Sequence, residues 1–177
     1  MINGAKIASL VRKSTNLIIE PLENAKYVVT DKYIMLLMNE KEFTNFFSKY
    51  NSFKSTANIP LHFNGAISKA KEEFESTDVN ALKIINKVKD AEPDVELTPF
   101  YLKRDKKKEA RIYKVKDALA IFLRKYESLL ELGDTYKAAG KIYPFFICQD
   151  DEVKAIIMPV RCVDDKPLKA KIKRLID

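Results

Sequence analysis

Few residues in this chain are equipped for chemistry. One histidine, His62, and two cysteines, Cys148 and Cys162, are spread over 177 residues. A structural zinc site needs four nitrogen or sulfur ligands, commonly as Cys-x-x-Cys pairs, and no such spacing occurs. His62 alone cannot serve as both metal ligand and base, and in the stretch Pro60-Leu61-His62-Phe63-Asn64-Gly65 it reads as a loop residue. The cysteines are not expected to form a disulfide pair. Gln149-Asp150-Asp151-Glu152 reads as a hairpin turn that sets Cys148 opposite Val153. Cys162 then lies roughly 30 Å further along at about 3.3 Å per residue, whereas a disulfide joins Cα atoms about 4.4–6.8 Å apart. Two free thiols fit a reducing compartment, hence a cytoplasmic location. The chain has no Walker loop, no Gly-x-Gly-x-x-Gly and no Gly-x-Ser-x-Gly, and Gly4, Gly65, Gly133 and Gly140 are too scattered to cradle a phosphate. The carboxylate pairs Asp150-Asp151 and Asp164-Asp165 fall where turns are expected, and adjacent acids there are ordinarily turn residues. The inventory argues for a non-enzymatic protein with no metal and no cofactor.

Positive charge is plentiful by contrast. Lys and Arg number 32 against 25 Asp and Glu, a net charge of +7. Such a balance admits nucleic acid, an acidic protein or an anionic membrane as partner, with a lysine-rich solvated surface as the plain alternative. The charge concentrates in residues 103–114, where Lys103, Arg104, Lys106, Lys107, Lys108, Arg111 and Lys114 face only Asp105 and Glu109. A lysine-rich hairpin tip can grip a phosphate backbone. Lysines on an exposed strand edge equally serve to block sheet-to-sheet aggregation. No apolar run approaches the roughly 20 residues that span a bilayer, so no membrane partner is expected.

The elements that must position these residues alternate in kind. Residues 2–13 read as a helix whose apolar residues are Ile2, Ala5, Ala8, Leu10 and Val11. β-Branched and aromatic residues predict strands at 16–22 and 26–39, the latter broken into a hairpin near Thr30-Asp31-Lys32. Phe43, Phe46, Phe47 and Tyr50 place one aromatic stripe on a helix over 40–50, read as core packing. Residues 65–90 read as two short helices, the first marked by Ile67, Ala70 and Phe74, the second by Val79, Leu82, Ile85 and Val88. Strands follow at 95–104 and 109–115. Leu119, Phe122, Tyr126 and Leu129 predict a helix over 116–132, and three more strands run to Arg161. Hairpins outnumber crossovers, so the expected fold is α+β: a mostly antiparallel sheet with two packed helices and a helical insertion at about 52–90. One domain over 1–162 and a basic tail over 163–177 complete the expectation.

Residues 109–161 run strand, helix, then three strands, with Tyr143-Pro144-Phe145-Phe146-Ile147 opening the penultimate strand. An acidic turn follows, and the last strand finishes in Ile157-Met158-Pro159-Val160-Arg161. This order and this ending resemble the closing half of the bacterial DNA polymerase sliding clamp, the processivity β-clamp. The helix, strand and hairpin of 2–39 are similar to the start of one clamp domain. The resemblance does not extend to 52–90 or 163–177. The family chain has three such domains and its ring six, whereas this chain has room for one. The family is also acidic overall, unlike this chain.

The resemblance implies that helices 2–13 and 116–132 face DNA through Lys6, Arg12, Lys13, Lys116, Arg124 and Lys125. It also implies that a partner peptide meets Ile157, Met158, Pro159 and Val160. The function expected is a non-enzymatic, clamp-like protein of DNA replication or recombination that binds DNA nonspecifically and works with a replication or repair protein, as an oligomer. A second reading is a phage or mobile-element interaction protein that binds a host protein without touching DNA. A third stacks single-stranded bases on Phe100, Tyr101, Tyr113 and Tyr143, and requires those rings to be exposed.

Overall fold

The computed structural model describes residues 4–11, 16–50, 65–68, 73–75, 80–91, 95–105, 108–116, 118–140 and 142–160, with Ala170 and Arg174. The chain divides into two compact units, Met1–Ile85 and Asn86–Asp177. The boundary falls inside the segment expected to be an insertion. Both units combine helices with antiparallel strands, and the fold is α+β.

The first unit opens with α1 (Gly4–Val11), which buries Ile7, Ala8 and Val11. β1 (Asn16–Leu22), β2 (Lys26–Thr30) and β3 (Ile34–Asn39) form an antiparallel meander. Glu23, Asn24 and Ala25 link β1 to β2; Lys26 N–H donates to the Glu23 carbonyl at 3.4 Å, and Asn24 and Ala25 turn the chain with φ of 59° and 53°. Asp31 builds the second turn. Its buried carboxylate Oδ1 accepts from the backbone N–H of Tyr33 and of Ile34, both at 2.9 Å, while Thr30 Oγ1 donates to the Ile34 carbonyl at 2.6 Å. These side chains satisfy backbone groups that the ladder leaves open, which is why the strand breaks at Thr30-Asp31-Lys32. α2 (Glu40–Tyr50) starts with a reciprocal cap: Asn39 Oδ1 accepts from Glu42 N–H at 2.9 Å, and Glu42 Oε2 accepts from Asn39 N–H at 3.2 Å. Its aromatic stripe is core, as expected, with Phe43 stacked on Tyr27 at 4.3 Å between ring centroids.

β4 (Gly65–Ser68) pairs with β1, and β5 (Glu73–Glu75) with β4, giving the order β5-β4-β1-β2-β3. The helix expected around Ile67, Ala70 and Phe74 is therefore corrected to strands at 65–68 and 73–75. β1 offers an open edge, and pairing Leu17 with Ile67 and Ile18 with Ala66 satisfies backbone groups along it. α3 (Ala81–Ile85) follows; its first N–H, on Ala81, donates to Glu20 Oε2 at 3.0 Å.

The second unit begins with a 3-10 helix at Asn86–Asp90. β6 (Val95–Asp105), β7 (Lys108–Val115) and β8 (Ala118–Leu123) form an antiparallel sheet in that order. A 3-10 helix, Arg124–Leu132, leads into a second meander of β9 (Thr135–Ala138), β10 (Phe145–Gln149) and β11 (Glu152–Ile157). The single helix expected over 116–132 is thus strand for its first part and 3-10 helix for the rest. Ala118–Leu123 is apolar throughout, with Ala120, Ile121 and Phe122 all buried, so the run does not carry the periodicity that separates strand from helix. β7 decides the matter by supplying a ladder from Val115↔Ala118 to Ala110↔Leu123. Asp150 and Asp151, at φ of 52° and 61°, close the last hairpin and set Cys148 opposite Val153, as the sequence predicts. Cys162 and the tail over 163–177, apart from Ala170 and Arg174, lie outside the described residues.

Tyr113 of β7, Phe122 of β8 and Phe145 of β10 pack ring against ring at 4.9–5.7 Å, and Tyr136 of β9 stacks on Phe145 at 5.6 Å. The Tyr113 hydroxyl is buried with no hydrogen-bond partner among the described residues, and burial pushes its pKa well up. An orphaned buried hydroxyl costs about 1–3 kcal/mol. Tyr113→Phe keeps the ring packing and removes that cost, so urea denaturation should show a gain of about 1 kcal/mol. Gly133 gives the opposite case. A Cβ there would lie 2.2 Å from the Cys148 carbonyl oxygen, which accepts from Asp134 N–H at 3.0 Å. Gly133→Ala should lower stability by about 1–3 kcal/mol in the same assay.

Candidate nucleic-acid interface

β6 carries a register shift between Leu97 and Tyr101. Thr98 turns inward there and its Oγ1 donates to the Ile112 carbonyl at 2.7 Å. Pairing resumes with Tyr101 opposite Arg111 and Lys103 opposite Glu109. Alternation along β7 then puts Glu109, Arg111 and Tyr113 on one face, and Arg111↔Phe122 adds Phe122 to it. The 3-10 helix Arg124–Leu132 brings Arg124 and Glu127 to that face.

Glu127 is the hub of the cluster. Its Oε1 accepts from the Tyr101 hydroxyl at 2.7 Å and is ion-paired with Arg111 Nη1. Its Oε2 stands 3.8 Å from Arg124 Nε. Arg111 also donates from Nε to the Thr98 carbonyl at 3.2 Å. Arg124 Nη1 pairs with Glu109. The Arg124 guanidinium lies over the Tyr101 ring at 4.4 Å from its centroid, and that of Arg111 at 5.6 Å. The hydrogen bond to Glu127 is the largest cause raising the pKa of Tyr101. Two guanidinium groups meet two carboxylates, so the cluster is close to neutral.

The residues expected to contact DNA are therefore placed unequally. Lys6 is exposed on α1, while Arg12, Lys13, Lys106 and Lys107 lie outside the described residues. Lys103 is exposed on β6 and shares the face of Arg111; of Arg104 and Lys108 only the backbone is described. Lys116 is exposed in the β7–β8 turn at φ 51°, not on a helix. Lys125 is exposed, with Nζ 4.4 Å over the Tyr126 ring. Arg111 and Arg124 come together, but each is engaged by a carboxylate. The sequence reading missed this pairing, although the three-residue spacing of Arg124 and Glu127 was a signal for it.

The partner strand needs correction. Ile157 is fully buried and unavailable to a peptide. Met158, Pro159 and Val160 follow β11 and are half-buried. Val160 N–H donates to the Ile121 carbonyl at 2.9 Å, and its side chain packs on Leu102, Ala110, Ile112 and Ile121. The segment seals the outer edge of β8 within its own unit. The four-ring stacking platform does not form either: Tyr113 is buried, while Phe100 and Tyr143 are exposed. Among the described residues no group of three His, Cys, Asp or Glu side chains is placed to hold a metal ion, and no helix is long and apolar enough to cross a membrane.

Removing Glu127 strips Arg111 of its carboxylate and Tyr101 of its acceptor, in a pair whose side chains are only 18% and 25% exposed. Glu127→Ala should cost about 1.5–3 kcal/mol of stability by urea denaturation, the range for hydrogen bonds to charged groups.

No protein-family model, curated protein or solved structure matches this chain.

Proposed function

We propose that this chain is a non-enzymatic, clamp-like protein of DNA replication, recombination or repair. It holds the nucleic-acid backbone nonspecifically through side-chain cations and works in the cytoplasm beside a replication or repair protein. The observation that carries this reading is the order β8, helical turn, three-strand meander, closing in Met158-Pro159-Val160. The sliding-clamp resemblance rests on a strand, a helix over 116–132 and three strands; β8 takes the first part of that helix, and the helical turn and the three strands keep their order. The first unit adds support with its own helix followed by a three-strand meander, α1 then β1, β2 and β3. A ring about DNA would need several copies of the chain, or another protein.

The second reading is an interaction protein of phage or mobile-element type that binds a host protein and leaves DNA alone. The exposed pair Ile142 and Tyr143 in the β9–β10 loop, together with the pairing of Arg111 and Arg124 by carboxylates, favours it.

Fluorescence anisotropy separates the two. Single and double strands about 30 nucleotides long, titrated across a salt series, should bind with Kd on the order of 10⁻⁴–10⁻⁶ M at physiological salt. The log–log salt slope should be steep, near −0.9 per phosphate contact on duplex DNA. Reversing charge at Lys103 and Lys125 should weaken binding and flatten that slope. No binding even at low salt would sink the DNA reading and move the search to a protein partner at the Ile142–Tyr143 loop.

A further inference from the structure

Arg111 and Arg124 share one aromatic ring and one carboxylate but differ in how firmly they are held. Arg111 is tied at three points, to Glu127, to the Thr98 carbonyl and to the face of Tyr101, and its side chain is 18% exposed. The Arg124 guanidinium lies over the Tyr101 ring with a side chain 52% exposed, and the carboxylate paired with its Nη1, Glu109, is itself 43% exposed. An ion pair between two side chains so open to water contributes little and is screened by salt. The Tyr101 ring nevertheless gives the Arg124 guanidinium a cation–π contact, 4.4 Å from its centroid, that holds it in place before any ligand arrives. A guanidinium so held, with an easily displaced carboxylate, suits a phosphodiester oxygen pair, which binds a guanidinium in a two-pronged way.

We infer that Arg124 is a phosphate-gripping residue gated by Glu109: the carboxylate occupies the guanidinium in the free protein and yields it to a backbone phosphate on binding. Arg111 keeps its contacts throughout and positions Tyr101 and Glu127 beneath the gate. The inference rests on the nucleic-acid reading above and assigns that reading its regulated contact.

Glu109→Gln removes the competing charge and leaves the Tyr101–Glu127–Arg111 contacts in place. It should bind a duplex about 30 nucleotides long several-fold more tightly than the unaltered protein, with the salt slope nearly unchanged, because both make the same phosphate contact through Arg124. Glu96→Gln, at an exposed acid on β6, controls for the general loss of one negative charge. Adding Arg124→Gln to Glu109→Gln should abolish the gain, and Arg124→Gln alone should weaken binding and flatten the slope by about 0.9, the value of one lost phosphate contact. Circular dichroism melts establish that each variant is folded. If the protein binds DNA but Glu109→Gln and Glu96→Gln shift affinity alike, the gate is overturned and the DNA reading stands. If neither the unaltered protein nor Glu109→Gln binds at low salt, both fall together. Binding gained only in Glu109→Gln and lost again with Arg124→Gln supports the gate in its strongest form.

Discussion

The packing of Tyr113, Phe122 and Phe145 joins the two sheets of the second unit. These three rings come from β7, β8 and β10, so the sheet of β6, β7 and β8 and the meander of β9, β10 and β11 meet through them. Phe122 reaches the cluster because β8 is a strand whose register pairs it with Arg111 and puts it on the face of Tyr113. The opposite face of the same sheet carries Leu102, Ala110, Ile112 and Ile121, closed by Val160. An apolar run covered on both faces cannot show strand alternation. The same fact that stabilises β8 hides it from a periodicity argument.

That face changes character along its length. At one end the rings pack dry; at the other, Tyr101, Arg111, Arg124, Glu109 and Glu127 form a polar cluster at the sheet surface. A partly buried polar cluster stabilises only if its members are satisfied, since each unpaired group costs more than a neutral contact returns. Here each guanidinium has a carboxylate and Tyr101 donates to one of them. The consequence for function is direct. Arginines that look like phosphate contacts in the sequence contribute little net field, and the chain's excess of +7 is carried chiefly by lysines, with only a few arginines. Lysine-led attraction is long-ranged at low salt and weak at high salt, which is the behaviour expected of nonspecific backbone binding.

What could be read from the sequence follows the same physics. The meander of β1, β2 and β3, the helix Glu40–Tyr50 and the hairpin with Cys148 opposite Val153 were legible because local signals agreed with tertiary contacts: Asx-type turn residues, one aromatic stripe, a two-acid turn. The strands at 65–68 and 73–75 were not, because only the open edge of β1 makes them strands. Ile67 and Phe74 give no signal of that edge. In the candidate site the basic residues were legible as a population but not as individuals. Charge counting cannot tell Lys103, exposed on its strand, from Arg111, locked by Glu127, since the difference lies in a contact sixteen residues along the chain.

The glycines tie these threads together. Four glycines serve 177 residues, and two of them, Gly4 and Gly133, stand where a Cβ would strike a neighbouring backbone: 2.9 Å from Phe46 N and 2.2 Å from Cys148 O. They are used for close approach of elements, not for turns. Among the described residues positive φ is taken by Gly140, at 140°, and by Asn24, Ala25, Lys32, Lys116, Asp150 and Asp151. Asn and Asp tolerate that region through local hydrogen bonding, and Ala25 and the lysines hold it because the flanking strand pairs fix the turns. A chain arranged this way has no glycine-rich loop to turn successive backbone N–H groups toward an anion. Among the described residues of the second unit the groups suited to a phosphate are side-chain cations, whose grip depends on salt and on which carboxylates already occupy them.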